Sequence, residues 1–295
     1  MKSTISVVIN TLNEQDNIVD AIESVKHISE DIVVVDMQSE DSTKDLAKKA
    51  GARVFDHERT GYVEPARNFA IEKAKNDWVL VLDADERIGK NLGKKLQKIT
   101  QEDFHYVAVP RKNIIFGKWI KNSLWWPDYN IRFFKKGYVS WDEHIHSVPM
   151  TTGKGIDLPA KGRYAIKHLH YTTISQYIQR LDRYTSIQAK ERKDEFDWKN
   201  TIRRPASEFL SRYFAGKGYK DGYHGLVLAG LQAVSEYIVE LKIWELNKHE
   251  EKNLKSSHVV SAIREETRNL NYWLSHRMVE SSGSFIEILR RKFKV

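Results

Sequence analysis

Cysteine is absent from all 295 residues, which excludes disulfides and thiolate metal sites and makes a reducing compartment, the cytoplasm, the expected setting. Long apolar runs are missing too: the longest uncharged stretch, residues 222–235, has 14 residues and includes His224 and Gln232, against the roughly 20 a spanning helix needs. Nothing after Met1-Lys2-Ser3-Thr4 resembles the apolar core and cleavage site of an export signal, so none is expected. Two glycine devices for holding phosphate are also lacking. No G-x-G-x-x-G follows the first apolar run, and no G-x-x-x-x-G-K-[ST] occurs anywhere. Proline is scarce, with Pro205 alone after residue 172.

Charge is unevenly distributed. Residues 1–150 hold 22 Lys/Arg against 23 Asp/Glu, and residues 151–295 hold 26 against 17, so the net charge of +8 comes entirely from the second half. A basic surface attracts phosphate-bearing partners such as anionic lipid, a phosphorylated glycolipid or nucleic acid, although a solvated basic face with no partner explains it equally well.

Apolar runs at Ile5–Ile9, Ile32–Val35, Val54–Phe55 and Trp78–Leu82 alternate with helical patterns over Asp16–Lys26 and Ser42–Ala50. That alternation predicts an α/β fold with a mostly parallel sheet and right-handed crossovers. From about Lys90 to Val148 aromatics and prolines mix, which suggests strands and long loops over the ligand edge of the sheet. The remainder reads as helical. Val227, Leu231, Val234, Ile238 and Leu241 make one apolar seam, expected to pack on the same chain or on a second copy in a homo-oligomer. Ser284–Val295 combines apolar and basic residues, as either a docked terminal helix or one lying on an anionic membrane surface. The expected division is residues 1–172 as a nucleotide-binding catalytic domain and 173–295 as a helical, basic region.

Asp83 and Asp85 follow a buried-strand pattern and emerge where a parallel sheet meets solvent, the edge at which open α/β sheets bind ligands. Two acidic oxygens there suit Mg²⁺ or Mn²⁺ bridging to phosphate. Asn10-Thr11-Leu12-Asn13-Glu14 and Asp36 end the neighbouring runs, placed for a nucleobase and ribose. Asp41-Ser42-Thr43 reads more simply as a helix cap. Arg67 can pair with phosphate through its guanidinium, or form only a surface ion pair.

The series Asn10-Thr11-Leu12-Asn13-Glu14, Val34-Val35-Asp36 with Ser39-Glu40-Asp41-Ser42-Thr43, Ala66-Arg67-Asn68 and Leu82-Asp83-Ala84-Asp85-Glu86 resembles the family 2 glycosyltransferases of the GT-A fold, in order and spacing. Pro127-Asp128-Tyr129-Asn130-Ile131-Arg132-Phe133-Phe134 and Lys167-His168-Leu169-His170-Tyr171 extend the likeness. Phe209-Leu210 and Tyr219 to Gly225 are similar to the branch with lipopolysaccharide inner-core β-1,4-glucosyltransferases. The likeness implies a GT-A, Rossmann-like sheet with flanking helices and a UDP-sugar donor held by Thr11, Asn13, Glu14 and Asp36, with Arg67 near the base or phosphates. It also implies Asp83 on ribose or metal, and Asp85 with His170, or His168, on Mn²⁺ or Mg²⁺. The implied reaction is inverting transfer of a hexose, glucose by the branch likeness, to a glycan or glycolipid acceptor of the cell envelope, at the inner face of the cell membrane. Polyprenyl phosphate and peptide are the alternative acceptors.

An inverting transfer needs a base for the acceptor hydroxyl. The family often carries Val/Ile-His-Glu beyond its P-D-x-x-x-R-L-F segment. The matching Ile145-His146-Ser147 lacks the glutamate, which leaves Glu143, ahead of Asp128, as the expected base. A haloacid dehalogenase-type phosphatase would carry its D-x-D on the first strand, and is set aside. So is a nucleic-acid-binding module: the aromatics among basic residues from Phe116 to Lys136 suit stacking on sugar rings equally.

Overall fold

The structure, a computed structural model, describes residues 4–59, 64–141, 149–251 and 253–282. In chain order the elements are β1 (Ile5–Thr11), α1 (Ile18–Val25), β2 (Asp31–Asp36), α2 (Thr43–Lys49), β3 (Arg53–Asp56), α3 (Glu64–Lys73), β4 (Trp78–Asp83), β5 (Glu86–Arg87), α4 (Lys90–Ile99) and β6 (Tyr106–Ile115). There follow β7 (Lys118–Trp119), β8 (Asp128–Lys135), β9 (Val139–Ser140), β10 (Met150–Thr151), β11 (Gly155–Asp157), β12 (Ile166–Tyr171), α5 (Ile174–Glu191), α6 (Asn200–Leu210), α7 (Tyr223–Leu246) and α8 (Ser256–Ser282). The chain divides into two compact units, Met1–Ile115 with Trp126–His170, and Phe116–Trp125 with Tyr171–Val295. Residues 116–125, which the sequence groups with the first 172, thus cluster with the helical unit.

In the first unit the strands run β3-β2-β1-β4-β8-β6-β12-β5. β3, β2, β1 and β4 are parallel, as the crossover helices require, and β8 enters antiparallel to both β4 and β6. Alternation along β1 shows how the sheet is covered. Ile5, Val7 and Ile9 face a core with Ile18, Ile22, Leu92 and Leu96 from α1 and α4, while Val8 joins Val33, Val35, Val79 and Val81 against Ala66 and Ala70 of α3. The aromatic stretch after residue 90, expected as strands and long loops over the ligand edge, supplies β6 and β8, two strands inside the sheet itself. Two of its rings are core: Phe133 and Phe134 are fully buried, and Phe133 stacks on Trp78 at 4.6 Å between centroids.

The second unit is helical. On α7 the buried residues are Gly225, Leu228, Ala229, Val239, Glu240 and Ile243. The seam expected from the aliphatics, with Val234, therefore lies off the buried face, and Val234 is 47% exposed. Two residues that an aliphatic count ignores orient the helix. A Cβ on Gly225 would sit 1.9 Å from the Gly218 carbonyl oxygen, so only glycine permits that approach. Glu240 is buried and pairs with Arg192 and with Arg204 at 3.1 Å. Residues 118–122 are tied down by buried Asp221, whose Oδ2 accepts from Asn122 N at 2.9 Å and Lys121 N at 3.2 Å. Among the described residues no helix is long and apolar enough to cross a membrane. Ser284–Val295 lies outside the described residues.

Candidate active site

Parallel pairing puts Asn10 opposite both Val35 and Asp83, and Thr11 opposite Asp36, so the ends of β1, β2 and β4 converge. There the polar side chains are buried and short of partners. Among the described residues Asn10 Nδ2 and Oδ1, Thr11 Oγ1 and Asp36 Oδ1 meet no hydrogen-bond partner, though these residues are only 4%, 2% and 1% exposed. Orphaned buried polar groups are costly, and a bound polar ligand is one way such groups are satisfied. Asn13 and Glu14 are otherwise engaged. Asn13 Oδ1 accepts from Glu40 N at 2.8 Å and Asn13 N donates to Ser39 Oγ, lacing the loops after β1 and β2, while Glu14 Oε2 accepts from Asn17 Nδ2 at 2.7 Å. Asp41 Oδ1 accepts from Thr43 N at 2.9 Å, two residues on, while Ser42, the N-cap of α2, makes no side-chain capping bond.

Asp83 is clamped by arginine. Arg132 Nη2 lies 2.5 Å from its Oδ2 and Arg67 Nη2 3.5 Å from its Oδ1, and Arg67 also lies 5.2 Å from the Trp141 ring. Arg132 continues to Glu86 at 3.2 Å, and Arg111 bridges Glu86, at 3.5 Å, to Asp128, at 2.8 Å. Burial pushes the Asp83 carboxyl up, but the charges of Arg132 and Arg67 outweigh it and hold the group well below the usual carboxylate range. The opposite pull acts on Arg132: burial lowers it, and Asp83 with Glu86 raises it further.

Three antiparallel strands supply the rest by period-2 alternation. β8 carries Asp128 and Arg132, β6 carries Arg111 and Asn113, and β12 carries His168 and His170. β12 is held against the turn after β4, with His168 opposite Glu86 and Leu169 N donating to Asp85 O at 2.9 Å. His168 Nε2 consequently lies 3.5 Å from Asp85 Oδ2 and 3.2 Å from His170 Nδ1. Among the described residues no group of three or more His, Cys, Asp or Glu side chains could hold a metal ion. The expected set Asp83, Asp85 and His170 is thus not a self-contained cage, because Asp83 is committed to arginine. A carboxylate with imidazole nitrogens beside it still fits a divalent cation that takes further oxygens from a diphosphate.

A family model, Glycosyl transferase family 2, matches residues 6–154, half of the chain. The chain belongs to glycosyltransferase family 2. An uncharacterized glycosyltransferase of Rickettsia typhi is 30% identical over 273 residues, 88% of this chain and 90% of that protein. The lipopolysaccharide core biosynthesis glycosyltransferase LpsC of Rhizobium meliloti is 24% identical over 255 residues, 83% of this chain and 93% of that protein. A solved glucosyl-3-phosphoglycerate synthase from Mycobacterium tuberculosis, in complex with Mn²⁺ and UDP, is 26% identical over 39% of this chain and 44% of that one, at a TM-score of 0.30.

The fold of this glycosyltransferase is GT-A: a parallel half-sheet, antiparallel strands added beyond β4, and helices on both faces. Asp128 is tightly held, with Arg111 Nε and Asn113 Nδ2 on Oδ2 and Asn130 Nδ2 on Oδ1 at 3.1 Å. Burial raises its carboxyl, and Arg111 with these hydrogen bonds brings the net below the ordinary value. A carboxylate so stabilised is a poor proton acceptor. Glu143 lies outside the described residues. Trp141, the last described residue before it in sequence, is buried, and Asn68 Nδ2 donates to its carbonyl oxygen at 3.0 Å. Sequence reasoning missed Glu86, Arg111 and Asn113. For Arg111 and Asn113 the available signal was polar residues at alternate positions of β6, an otherwise largely apolar strand.

Proposed function

We propose that this glycosyltransferase moves a hexose from a UDP-sugar, with inversion, onto a glycan or glycolipid acceptor of the cell envelope, at the cytoplasmic face of a membrane. The observation that carries the donor site is the set of buried polar atoms of Asn10, Thr11 and Asp36 without partners, at the strand ends beside Asp83. Thr11 and Asp36 would take the uridine, and Asp83, oriented by Arg132 and Arg67, the ribose. Asp85 with His170 would hold Mn²⁺ or Mg²⁺, which when bound offsets charge on the departing diphosphate. Glu143 is the proposed base, since Asp128 is engaged by Arg111, Asn113 and Asn130. The likeness to LpsC supports an envelope glycan acceptor, and 26 Lys/Arg against 17 Asp/Glu over residues 151–295 suits one bearing phosphate or lying on anionic lipid.

The test is a thermal-shift and donor-hydrolysis screen over UDP-, GDP- and dTDP-sugars with Mn²⁺. A UDP-sugar should stabilise the wild type and not Asp85→Ala. Equal stabilisation of both, or none by any donor, would remove the donor site. Transfer of label into butanol-extractable lipid instead of polysaccharide would move the acceptor to polyprenyl phosphate.

A further inference from the structure

A one-directional hydrogen-bond chain runs behind the donor edge. Asp128 is an acceptor held by Arg111, so the Asn113 atom facing its Oδ2 at 3.1 Å is the amide nitrogen. That fixes the flip of the amide, and the Asn113 atom 2.7 Å from His168 Nδ1 is then Oδ1, which can only accept. Neutral His168 therefore carries its hydrogen on Nδ1 and its lone pair on Nε2, the nitrogen that also lies 3.5 Å from Asp85 Oδ2. In that neutral state His170 Nδ1, 3.2 Å from the Nε2 lone pair, is the donor. Donation thus passes from His170 to His168 to Asn113 to Asp128. Asn113 is 1% and His168 4% exposed, so water competes little for these bonds.

We propose that Asn113 and His168 are positioning residues that lock His170 as its Nδ1–H form, turning its Nε2 lone pair outward as the ligating nitrogen. The orientation of His170 toward a cation rests on the functional reading above; the ring states of the chain do not. Side chains behind a metal-binding histidine commonly fix its tautomer by accepting its other ring hydrogen. Here that acceptor is a second histidine, itself set by an amide. This also explains why two histidines stand at i, i+2 on β12: one presents, the other backs it.

Long-range ¹⁵N–¹H correlation spectra of the metal-free protein, above the imidazole titration range, read the ring states directly. A neutral imidazole in water favours Nε2–H, so a merely structural amide would leave that form dominant. The wild type should show Nδ1–H for both His168 and His170. Asn113→Leu, which removes the acceptor for His168, should lose that pattern. Nε2–H rings in the wild type, or an unchanged pattern in Asn113→Leu, would overturn the proposal without needing any ligand. Calorimetry with Mn²⁺ and UDP adds the second readout: Asn113→Leu should bind about 10- to 100-fold more weakly. Wild-type affinity in a folded Asn113→Leu would overturn the positioning role. A wild type that binds no UDP but shows Nδ1–H rings sinks only the functional reading, and the ring states still support the chain.

Discussion

Arg132 lies along the carboxylate of Asp83, Nη2 to Oδ2 at 2.5 Å and Nη1 to Oδ1 at 3.4 Å. The first acid of the D-x-D pair is therefore neutralised within the protein, and the two acids divide their work. Asp83 anchors an arginine-rich network, and Asp85 faces the histidines.

Removing Arg132 leaves Asp83 and Glu86 without their nearest charge partner in a site where Arg132 itself is 5% exposed. Arg132→Met should cost about 3–5 kcal/mol, the usual penalty for stripping one member of a buried ion pair. Urea unfolding of Arg132→Met, Asp83→Asn and the double variant checks it: the double should be less destabilised than the sum of the singles.

Asp31 gives the pH dependence its sign. Burial raises its carboxyl, but Ser6 Oγ, Lys75 N and Arg53 bond to it and bring it below the ordinary value. A depressed folded pKa stabilises the fold at pH above the unfolded value of about 3.9, and that contribution disappears as pH falls through the lower folded value. Asp31→Asn should therefore cost about 2 kcal/mol at pH 7, in line with hydrogen bonds to a charged group. The gap to wild type should narrow as pH falls below about 3.9 in denaturant titrations.

Two glycines of α7 should respond oppositely to alanine. A Cβ at Gly225 meets backbone of Gly218 at 1.9 and 2.7 Å, whereas one at Gly230 meets nothing within 4 Å. Gly225→Ala should cost about 3 kcal/mol through forced backbone displacement. Gly230→Ala should gain up to about 1 kcal/mol from helix propensity. Melting temperatures of the two variants are the check.

Asn68 Nδ2 donates to Trp141 O, and Trp141 opens the stretch that holds Glu143. If the proposed base depends on this anchor, Asn68→Ala should lower kcat about tenfold, with the KM for donor within twofold. A change confined to donor KM would place Asn68 in the donor site instead.

The parallel half of the fold was legible because each strand is a near-continuous apolar run ending in polar residues: Val33-Val34-Val35 before Asp36, Leu80-Val81-Leu82 before Asp83. β6 and β8 were not, since Pro110, Arg111, Asn113, Asp128 and Arg132 interrupt their apolar pattern, and only the assembled sheet shows those polar residues sharing a site. The buried face of α7 was hidden for a related reason. Counting aliphatics cannot weigh a glycine that admits close packing or a glutamate buried with two arginines. Glu143 illustrates another limit, because a base is defined by where it stands relative to a donor and not by its neighbours in sequence.

Isothermal titration of UDP into the wild type, with Mn²⁺ and again with EDTA, tests the central claim most directly. Binding should require the cation and weaken at least tenfold in Asp85→Ala, while Glu143→Gln should leave it unchanged. UDP binding that survives EDTA, or that is equal in Asp85→Ala and wild type, would contradict the account.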